Sequence, residues 1–322
     1  MSTGVCDFEI RSFVETDAEG ISQLFRTVYG DNYVYPDVYL PAMIRRRNAT
    51  RCWQSMVAVS NGHVIGHAAL WYQIDLPDQV EFALNTVHPS ARGNGIATQL
   101  AHSLCERARR QGYATLTIKQ VSSHGQSQRL ARNLGFQTTA LMFDYVDSPF
   151  GGKNRESIIL GCLALQPRPI PAIDWPGDYS GWIAPLSCNF GSTPAEDNHF
   201  SVAPLAIESR ERRIDVTLSD LRSHHVQDVA NLPFGRLTYV RLALARDTPF
   251  ALKQLGRAGY YCTGLTPGPQ RQWFALMVRG HRTPKLDLHC PIAIALHESR
   301  FIGMLPQVNK LRWQHHLRYD VA

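Results

Sequence analysis

The sequence contains the segment Val87-His-Pro-Ser-Ala-Arg-Gly-Asn-Gly-Ile-Ala97, which joins a predicted strand to a predicted helix. Residues 80–88 are predicted to form the strand. From Gly95 to Arg110 the apolar residues recur at helical spacing, at Ile96, Leu100, Leu104 and Ala108. The segment is therefore a two-glycine turn that opens a long amphipathic helix.

Gly93 and Gly95 suit this turn to an anionic ligand. Glycines remove side chains where the backbone must approach a bulky group, and the N–H groups and macrodipole of a helix N-terminus favour an anion. Arg92 adds a positive charge. The segment is neither the dinucleotide fingerprint GxGxxG nor a phosphate loop that ends in Gly-Lys-Ser/Thr. The residues alone leave two interpretations, a pyrophosphate site and an ordinary glycine-containing turn.

Length and composition predict a globular protein with two domains. The chain has 322 residues, of which 44% are hydrophobic and 19% charged, enough for a packed core. It has no apolar run of about 18 residues that could span a membrane, and its N-terminus has no secretory signal, so we expect a cytoplasmic protein. The 7 isolated cysteines, without a CxxC pair, predict reduced thiols rather than a zinc site.

The positive charge is spread along the chain. The net charge is +6 with a pI of about 9.0, and the one dense run, Arg45-Arg46-Arg47, lies in a predicted helix. This pattern disfavours nucleic-acid binding and is compatible with a small polyanionic ligand. The pairs His224-His225 and His315-His316 have no further ligands nearby, so we predict no metal site.

Periodicity predicts a mixed α/β domain over residues 1–165. Asn61-Gly62 is a hairpin signal between two of its strands. The predicted strands are 8–14, 55–60, 63–74, 80–88, 116–121, 138–146 and 156–165, and the predicted helices are 17–29, 40–47, 95–110 and 126–133.

A proline-rich segment divides the chain. Prolines cannot continue a sheet, so residues 166–181 are predicted to be a semi-rigid linker. Residues 182–322 are predicted to form a second α/β domain. Residues 252–260 occupy the place that residues 130–136 have in the first half, which predicts a degenerate internal repeat; a chance match is the alternative. The elements predicted there are strands at 213–218, 237–245 and 273–279 and helices at 219–230 and 250–257.

The glycine segment resembles the cofactor motif of the GNAT acyltransferase superfamily, Arg/Gln-x-x-Gly-x-Gly/Ala, which Arg92, Gly95 and Ala97 meet. In that family the motif follows a strand ending in Val-x-Pro, as Val87-His88-Pro89 does here. The order of elements in the first half is also similar, as is Leu134-Gly135-Phe136 after the fourth helix. The resemblance covers about half of the chain and implies a GNAT-like N-terminal domain, followed by a second domain that could be a degenerate GNAT-like repeat.

The resemblance implies acetyl-CoA or another acyl-CoA as acyl donor, without a metal. The family binds this cofactor in a gap between two splayed strands, here those at 80–88 and 115–121. The pyrophosphate would contact the glycine loop, and the pantetheine would follow the first of these strands. The implied cofactor-binding residues are Thr86, Val87, Arg92, Gly93, Asn94, Gly95, Ile96, Ala97 and Thr98.

Glu81 is the first candidate for the base that takes a proton from the attacking amine. Many members of the resembling family have a glutamate at this place; the alternative is a solvated glutamate at the end of a strand. His88 and His124 are further candidates, although a single histidine is more often a surface residue.

One residue departs from the family pattern. The family often has a tyrosine four residues before its Gly-Phe pair, as general acid for the leaving thiolate, and Ala131 stands there. Either Ser127, His124 or Tyr145 donates the proton, or none is needed because the thiol of CoA leaves readily as a thiolate.

The acceptor side is implied to lie after the first helix, where Tyr29, Tyr33, Tyr35 and Tyr39 follow one another. An aromatic wall suits a flat or cationic acceptor, and the alternative is that these tyrosines pack a loop onto the sheet. The second half has no glycine loop after its strand at 214–218. We therefore expect one cofactor per chain, and a second half that covers the acceptor pocket or forms a homodimer contact.

The sequence thus predicts an N-acyltransferase that moves an acyl group, expected to be acetyl, from acyl-CoA to an amine of a small molecule or peptide. Two alternatives remain. The donor could be an acyl carrier protein, or the protein could be a non-catalytic acyl-CoA sensor or scaffold. The alanine at position 131 favours the sensor, and Glu81 favours the enzyme.

Overall fold

The computed structural model describes residues 7–152, 154–177, 179–197, 203–210, 212–283 and 286–299; Cys6 and His315-His316 lie outside them. The strands are β1 (Glu9–Ser12), β2 (Trp53–Ser60), β3 (His63–Tyr72), β4 (Gln79–Val87), β5 (Thr115–Val121), β6 (Gln137–Val146), β7 (Glu156–Ala164), β8 (Ile170–Ala172), β9 (Ser192–Pro194), β10 (Leu205–Ser209), β11 (Arg213–Leu218), β12 (Leu237–Ala243), β13 (Tyr261–Pro267) and β14 (Trp273–Arg279). The α-helices are α1 (Ala18–Tyr29), α2 (Pro41–Ala49), α3 (Ile96–Arg110), α4 (Gly125–Asn133), α5 (Ser180–Phe190), α6 (Ser223–Ala230), α7 (Thr248–Arg257) and α8 (Pro291–Ser299). In this part of the chain, no helix combines the length and apolar character needed to cross a bilayer.

A single sheet runs through both halves of the chain. Its strand order is β1-β2-β3-β4-β5-β7-β6-β13-β14-β12-β11-β10, while β8 and β9 form a separate pair. In the first half β4 and β5 are parallel, and the other neighbouring strands are antiparallel. The mixed α/β architecture predicted for the first half is confirmed.

The strands alternate between two apolar layers because successive side chains point to opposite faces. On β4, Val80 and Phe82 pack into the layer that also contains Leu100 and Leu104 of α3. Ala83 packs on the opposite layer, together with residues of α1 and α2. β4 is therefore covered on both faces, and its polar residues are held between two cores.

The second half repeats part of this strand pattern. β11 and β12 are parallel and are connected by α6, as β4 and β5 are connected by α3. β14 then pairs with β12 and β13 in antiparallel fashion, as β7 does with β5 and β6. This topology is what the proposed internal repeat requires.

The two halves join between β6 and β13, where Gly264 pairs with Ala140. The Tyr239 hydroxyl on β12 donates to the carbonyl of Phe143 on β6, although two strands separate β12 from β6 in the sheet. Because neighbouring strands lie about 4.8 Å apart, a flat sheet could not make this contact. The sheet therefore curls, and the second half closes over the end of β6.

The proline-rich segment packs against the protein. Arg168 is fully buried and donates to the Thr115 hydroxyl (2.9 Å) and the Gly268 carbonyl (2.7 Å). Ile170 is also buried and begins β8. One apolar cluster extends from β6 and β7 into α5 and the second half. The division at residues 165 and 182 stays a prediction.

Two predicted elements of the second half differ from the structure. The helix predicted from Ser219 begins at Ser223, because the Asp220 carboxylate accepts the N–H of Arg222 (3.0 Å) and holds a non-helical turn. β13 was not predicted as a strand. Six of its seven residues are buried, so its sequence lacks the alternation that marks a half-buried strand.

Candidate active site

β4 contains a β-bulge at Leu84 and Asn85. The register with β3 shifts between His67 and Ala69, so two residues of β4 face one residue of β3. Leu84 has a φ of 58°, a left-handed conformation that is uncommon for leucine. A bulge bends the strand that contains it, so β4 turns away from its original direction at this point.

β4 and β5 separate at the bulge. They pair in parallel between residues 79–82 and residues 115–118. Within the described residues no β4–β5 pairing follows, although β4 continues to Val87 and β5 to Val121. A gap therefore opens between the C-terminal ends of two neighbouring strands, at the place where the resemblance implied the cofactor.

The glycine loop lies at the end of this gap. Gly93 and Gly95 have φ values of 86° and 77°, which glycine adopts without steric cost. A methyl group on Gly93 would meet no described atom within 4 Å, and one on Gly95 would come nearest to the Gln99 side chain, at 3.8 Å. The first turn of α3, whose N–H groups lack intrahelical acceptors, thus faces open space.

These residues fit the acyl-CoA that the resemblance implied. Arg92 is exposed beside the loop, and the Asn94 carboxamide donates to the Ala91 carbonyl (3.1 Å), which holds the loop shape. The side-chain oxygen of Asn85 is buried and has no hydrogen-bond partner among the described residues. Asn85 lies on the bulge, so this oxygen could accept an amide N–H of a ligand in the gap.

Glu81 precedes the bulge and is 8% exposed. Its carboxylate lies 2.7 Å from the Lys119 ammonium on β5, across the last paired residues of the two strands. Burial opposes the charged form of Lys119, but the attraction and hydrogen bond of Glu81 act together with nearby Tyr145 and Tyr35, so the pKa of Lys119 is raised. Glu81 is thus an oriented carboxylate within an ion pair, and sequence reasoning missed its partner.

His67 supports the bulge from β3, and sequence reasoning missed it as well. It is fully buried; Nδ1 lies 3.1 Å from the Leu84 carbonyl, and Nε2 lies 3.0 Å from the Ser55 hydroxyl. Burial lowers the pKa of His67 to about 4, so the ring is neutral at pH 7. A neutral ring with its proton on Nδ1 satisfies both contacts by donating to the carbonyl and accepting from the hydroxyl.

The predicted tyrosines form a continuous aromatic row beside Glu81. The ring of Tyr33 lies 4.7 Å from that of Tyr29 and 6.0 Å from that of Tyr35. Trp71 extends the row, with its ring 4.7 Å from that of Tyr35. Burial raises the pKa of Tyr33, and the negative charge of Glu81 adds to this effect. The structure therefore brings Tyr29, Tyr33 and Tyr35 together on the side of β4 that carries Glu81.

The other predicted catalytic residues lie outside the Glu81–Lys119 pair. The His88 ring makes a 2.7 Å contact with the Ser90 hydroxyl at the start of the glycine segment. Ser127 donates its hydroxyl to the backbone carbonyl of His124 (2.8 Å) in the first turn of α4. In the described residues, neither of these two side chains nor that of His124 hydrogen-bonds to Glu81. Their catalytic roles stay predictions.

His124 belongs to a second aromatic row. Its ring stacks on Phe150 at 5.9 Å with an interplanar angle of 12°, and Phe150 lies 5.4 Å from Tyr29. Phe150 comes from the loop between β6 and β7 and is 53% exposed. The row connects the end of α1 to the start of α4, the helix that follows β5.

The second half contributes residues close to Glu81 and Lys119. The Arg213 guanidinium lies 4.0 Å from the centre of the Tyr145 ring and donates to the Tyr145 carbonyl (3.0 Å). Tyr145 in turn lies close enough to Lys119 and Tyr35 to affect their pKa values. The Glu81–Lys119 side of the first half therefore lies near the second half of the same chain.

The second half has no gap like that between β4 and β5. β11 and β12 stay paired over six consecutive positions, from Arg213 opposite Leu237 to Leu218 opposite Leu242. The structure thus has one splayed strand pair in the described residues. In the same residues, no group of three or more His, Cys, Asp or Glu side chains is arranged to hold a metal ion.

Comparison with known proteins supports the resemblance. Residues 18–136 match the model of the Acetyltransferase (GNAT) family. This match includes the bulge, the gap and the glycine loop. No curated protein shows a significant match to the chain.

The chain is also similar to solved structures. An N-acetyltransferase from Staphylococcus aureus is 20% identical, with a TM-score of 0.44, over 50% of this chain and 99% of that one. A GNAT superfamily phosphinothricin acetyltransferase from Sinorhizobium meliloti in complex with AcCoA is 23% identical, with a TM-score of 0.44, over 49% and 89%. A ribosomal-protein-alanine N-acetyltransferase from Brucella melitensis is 19% identical, with a TM-score of 0.42, over 48% and 99%.

Proposed function

We propose that the protein, whose residues 18–136 match the model of the Acetyltransferase (GNAT) family, transfers an acyl group from acyl-CoA to an amine. The single observation that carries this proposal is the gap between β4 and β5, which ends at the open N-terminus of α3. Residues 86–87 and 92–98 would hold the cofactor. Bound there, acyl-CoA supplies the activated thioester.

Glu81 is proposed as the base. An amine acceptor is mostly protonated at pH 7 and must lose a proton before it attacks. The ion pair with Lys119 holds the Glu81 carboxylate in one orientation. From this position Glu81 would accept the proton of the amine directly or through a water molecule. The aromatic row of Tyr29, Tyr33 and Tyr35 would orient the acceptor beside it.

The bulge supplies a second catalytic element. Backbone N–H groups that are freed from strand pairing can polarise a carbonyl oxygen, and residues 83–87 leave β5 at this point. His67 fixes the bulge by its contact with the Leu84 carbonyl. His67 is therefore a positioning residue, since it contacts the bulge and not the reacting atoms.

The leaving thiolate has no tyrosine on α4 to protonate it, since Ala131 is 3% exposed within the apolar layer under α4. Ser127 and His124 are engaged in contacts at the start of α4. A CoA thiolate is stable enough to leave without a proton, and the proposed mechanism requires no general acid.

The test is release of free thiol from acetyl-CoA in the presence of a panel of amines. Replacing Glu81→Gln should lower kcat by about 100-fold or more, the usual contribution of a general base, while the Kd for acetyl-CoA stays within about threefold. Glu106→Gln is the matched control, because Glu106 is an exposed glutamate on α3 paired with Arg109. Its kcat should not change.

The alternatives give different results in the same experiment. A sensor would bind acetyl-CoA and release no thiol with any amine. A carrier-protein-dependent enzyme would bind no acetyl-CoA and would react with an acylated carrier protein. Full activity of the Glu81→Gln variant would remove Glu81 from the mechanism.

A further inference from the structure

We infer that the amine acceptor also carries a carboxylate, and that Arg241 of the second half binds this carboxylate. The inference rests on the proposed function, because it names the class of acceptor for the same site. Arg241 lies on β12, within the half of the chain that has no cofactor gap of its own.

Arg241 is a cation that forms no close ion pair with any described residue. Its Nε is buried without a hydrogen-bond partner, and no carboxylate lies within 4 Å of its guanidinium, in the part of the chain that the structure describes. One terminal nitrogen donates a long bond of 3.3 Å to the Pro267 carbonyl, and the guanidinium lies 4.9 Å from the centre of the Phe274 ring. Burial lowers the pKa of Arg241, and the attraction of Asp215, which is not in an ion pair with it, offsets this effect only in part.

The neighbouring charged groups are already paired. Lys119 pairs with Glu81 at 2.7 Å, and Arg213 pairs with Asp215 at 2.8 Å. Asp215 also accepts from Arg210 at 3.2 Å. Neither Glu81 nor Asp215 forms an ion pair with Arg241 in the described residues.

Arg241 faces the same space as Lys119. Asp215 lies opposite Tyr239, and Thr217 lies opposite Arg241, so Asp215, Tyr239 and Arg241 point to one face of the second half. That face contacts β6 through the Tyr239 hydroxyl. Tyr145, near the end of β6, has its ring 5.7 Å from that of Tyr239, and it lies close enough to Lys119 and Arg241 to affect the pKa values of both.

The space between the halves is accessible. The side chain of Lys119 keeps 25% of its area exposed and that of Asp215 keeps 26%, although both lie between the two halves of the sheet. Arg241 is itself only partly buried. A small molecule could therefore reach both the Glu81–Lys119 pair and the Arg241 guanidinium.

A guanidinium binds a carboxylate with two parallel hydrogen bonds, so Arg241, which has no ion-pair partner among the described residues, suits the carboxylate of a ligand. The amine of the same molecule would lie near Glu81, and an apolar or aromatic group would pack on Tyr33, Tyr35 and Trp71. These requirements describe an amino acid acylated on its amine.

The experiment compares phenylalanine with 2-phenylethylamine, two amines that share the aromatic ring and differ in the carboxylate. With the unchanged protein, kcat/KM for phenylalanine should exceed that for 2-phenylethylamine by about 10-fold or more, the usual gain from a charge-assisted hydrogen bond. Arg241→Met should remove this preference, mainly by raising KM for phenylalanine. Its kcat/KM for 2-phenylethylamine and its Kd for acetyl-CoA should stay within about threefold.

Two controls separate charge recognition from a loss of structure. Arg246→Met removes an arginine that is 68% exposed, just beyond the same strand, and should keep the preference. Arg241→Lys should keep part of it, because the charge remains.

Two results would overturn the inference. One is an equal or greater kcat/KM for 2-phenylethylamine in the unchanged protein, a result that does not require Arg241→Met to fold. The other is a preference for phenylalanine that persists in Arg241→Met. In both cases thiol release would still support the proposed acyl transfer, whereas no acetyl-CoA binding at all would overturn the proposed function as well.

Discussion

His67 shows how one buried side chain sets the geometry of the site. Its Nδ1 contacts the carbonyl of Leu84, the bulge residue, and its Nε2 contacts Ser55 on β2. A charged ring could keep both contacts by donating to the carbonyl and to the hydroxyl, so burial is what keeps the ring neutral. Protonation would place a charge in an apolar layer.

The free energy of unfolding should therefore depend on pH through His67. The pKa of His67 is lowered to about 4 in the folded protein, against 6.5 for an unperturbed histidine. Below pH 6.5 His67 binds a proton in the unfolded chain, whereas in the folded protein it stays neutral down to about pH 4. This difference should lower the free energy of unfolding by about 3 kcal/mol between pH 6.5 and pH 4. Urea unfolding of the unchanged protein and of His67→Gln across this range measures the difference.

His63→Gln is the control for this measurement, because His63 is an exposed histidine on the same strand. It should leave the slope of the unchanged protein intact, while His67→Gln should flatten it. Parallel pH curves for the unchanged protein and His67→Gln would show that His67 is not held neutral by its surroundings.

A single charged residue within a buried strand is a sequence signal for a functional site, and this signal was not used to predict Lys119 or Arg241. Lys119 stands in a strand predicted to be buried, and Arg241 stands between apolar residues of another. Glu81, by contrast, was predicted because the resembling family often has a glutamate at this place. The sequence alone could not pair Lys119 with Glu81, because their contact depends on the parallel register of β4 and β5.

The joint between β6 and β13 depends on a backbone conformation at one residue. Gly264 has a φ of 124° and pairs with Ala140. A methyl group there would lie 2.1 Å from the Thr139 carbonyl oxygen and 2.6 Å from the Ala140 Cα, so the two strands could not stay paired. This close approach lets β6 and β13 pair, so that the strands of the two halves form one sheet.

Gly264→Ala should lower the free energy of unfolding by about 3 kcal/mol or more, the sum of backbone strain and steric overlap. Gly256→Ala is the matched control. Gly256 lies in α7, a methyl group there would meet no described atom within 4 Å, and alanine should raise stability by about 0.5–1 kcal/mol. Denaturant unfolding measures both; a Gly264→Ala variant as stable as the unchanged protein would contradict the placement of this joint.

Elements with clear periodicity could be predicted, and irregular ones could not. α3 was predicted from its apolar spacing and lies at Ile96–Arg110. β13 is buried on both faces, contains Gly264 and ends at Pro267, so neither alternation nor composition marked it as a strand. The β4 bulge has no sequence signature, since Leu84 adopts a conformation that its residue type disfavours.

At the scale of the whole molecule, the second half packs against the end of β6 through the contacts of Arg213 with Tyr145 and of Tyr239 with Phe143. That it covers the acceptor pocket stays a prediction. The sequence could not predict the curl that brings these residues together. The curl depends on the pairing of Gly264 with Ala140, two residues that are far apart in the sequence.

The central claim is that acyl-CoA binds at the glycine loop, and the most direct measurement is thermal unfolding with and without acetyl-CoA. Gly95→Arg fills the open space before α3. Gly112→Arg is the matched control, because Gly112 follows the other end of the same helix, has a φ of 78° and would meet no described atom within 4 Å. Both variants carry the same backbone strain.

At an acetyl-CoA concentration of about 100 times Kd, binding should stabilise the unchanged protein and Gly112→Arg by about 2.7 kcal/mol, which raises Tm by several degrees. In Gly95→Arg the rise should be absent. An equal rise in Gly95→Arg, or no rise in the unchanged protein with acetyl-CoA or longer acyl-CoAs, would contradict the proposed cofactor site.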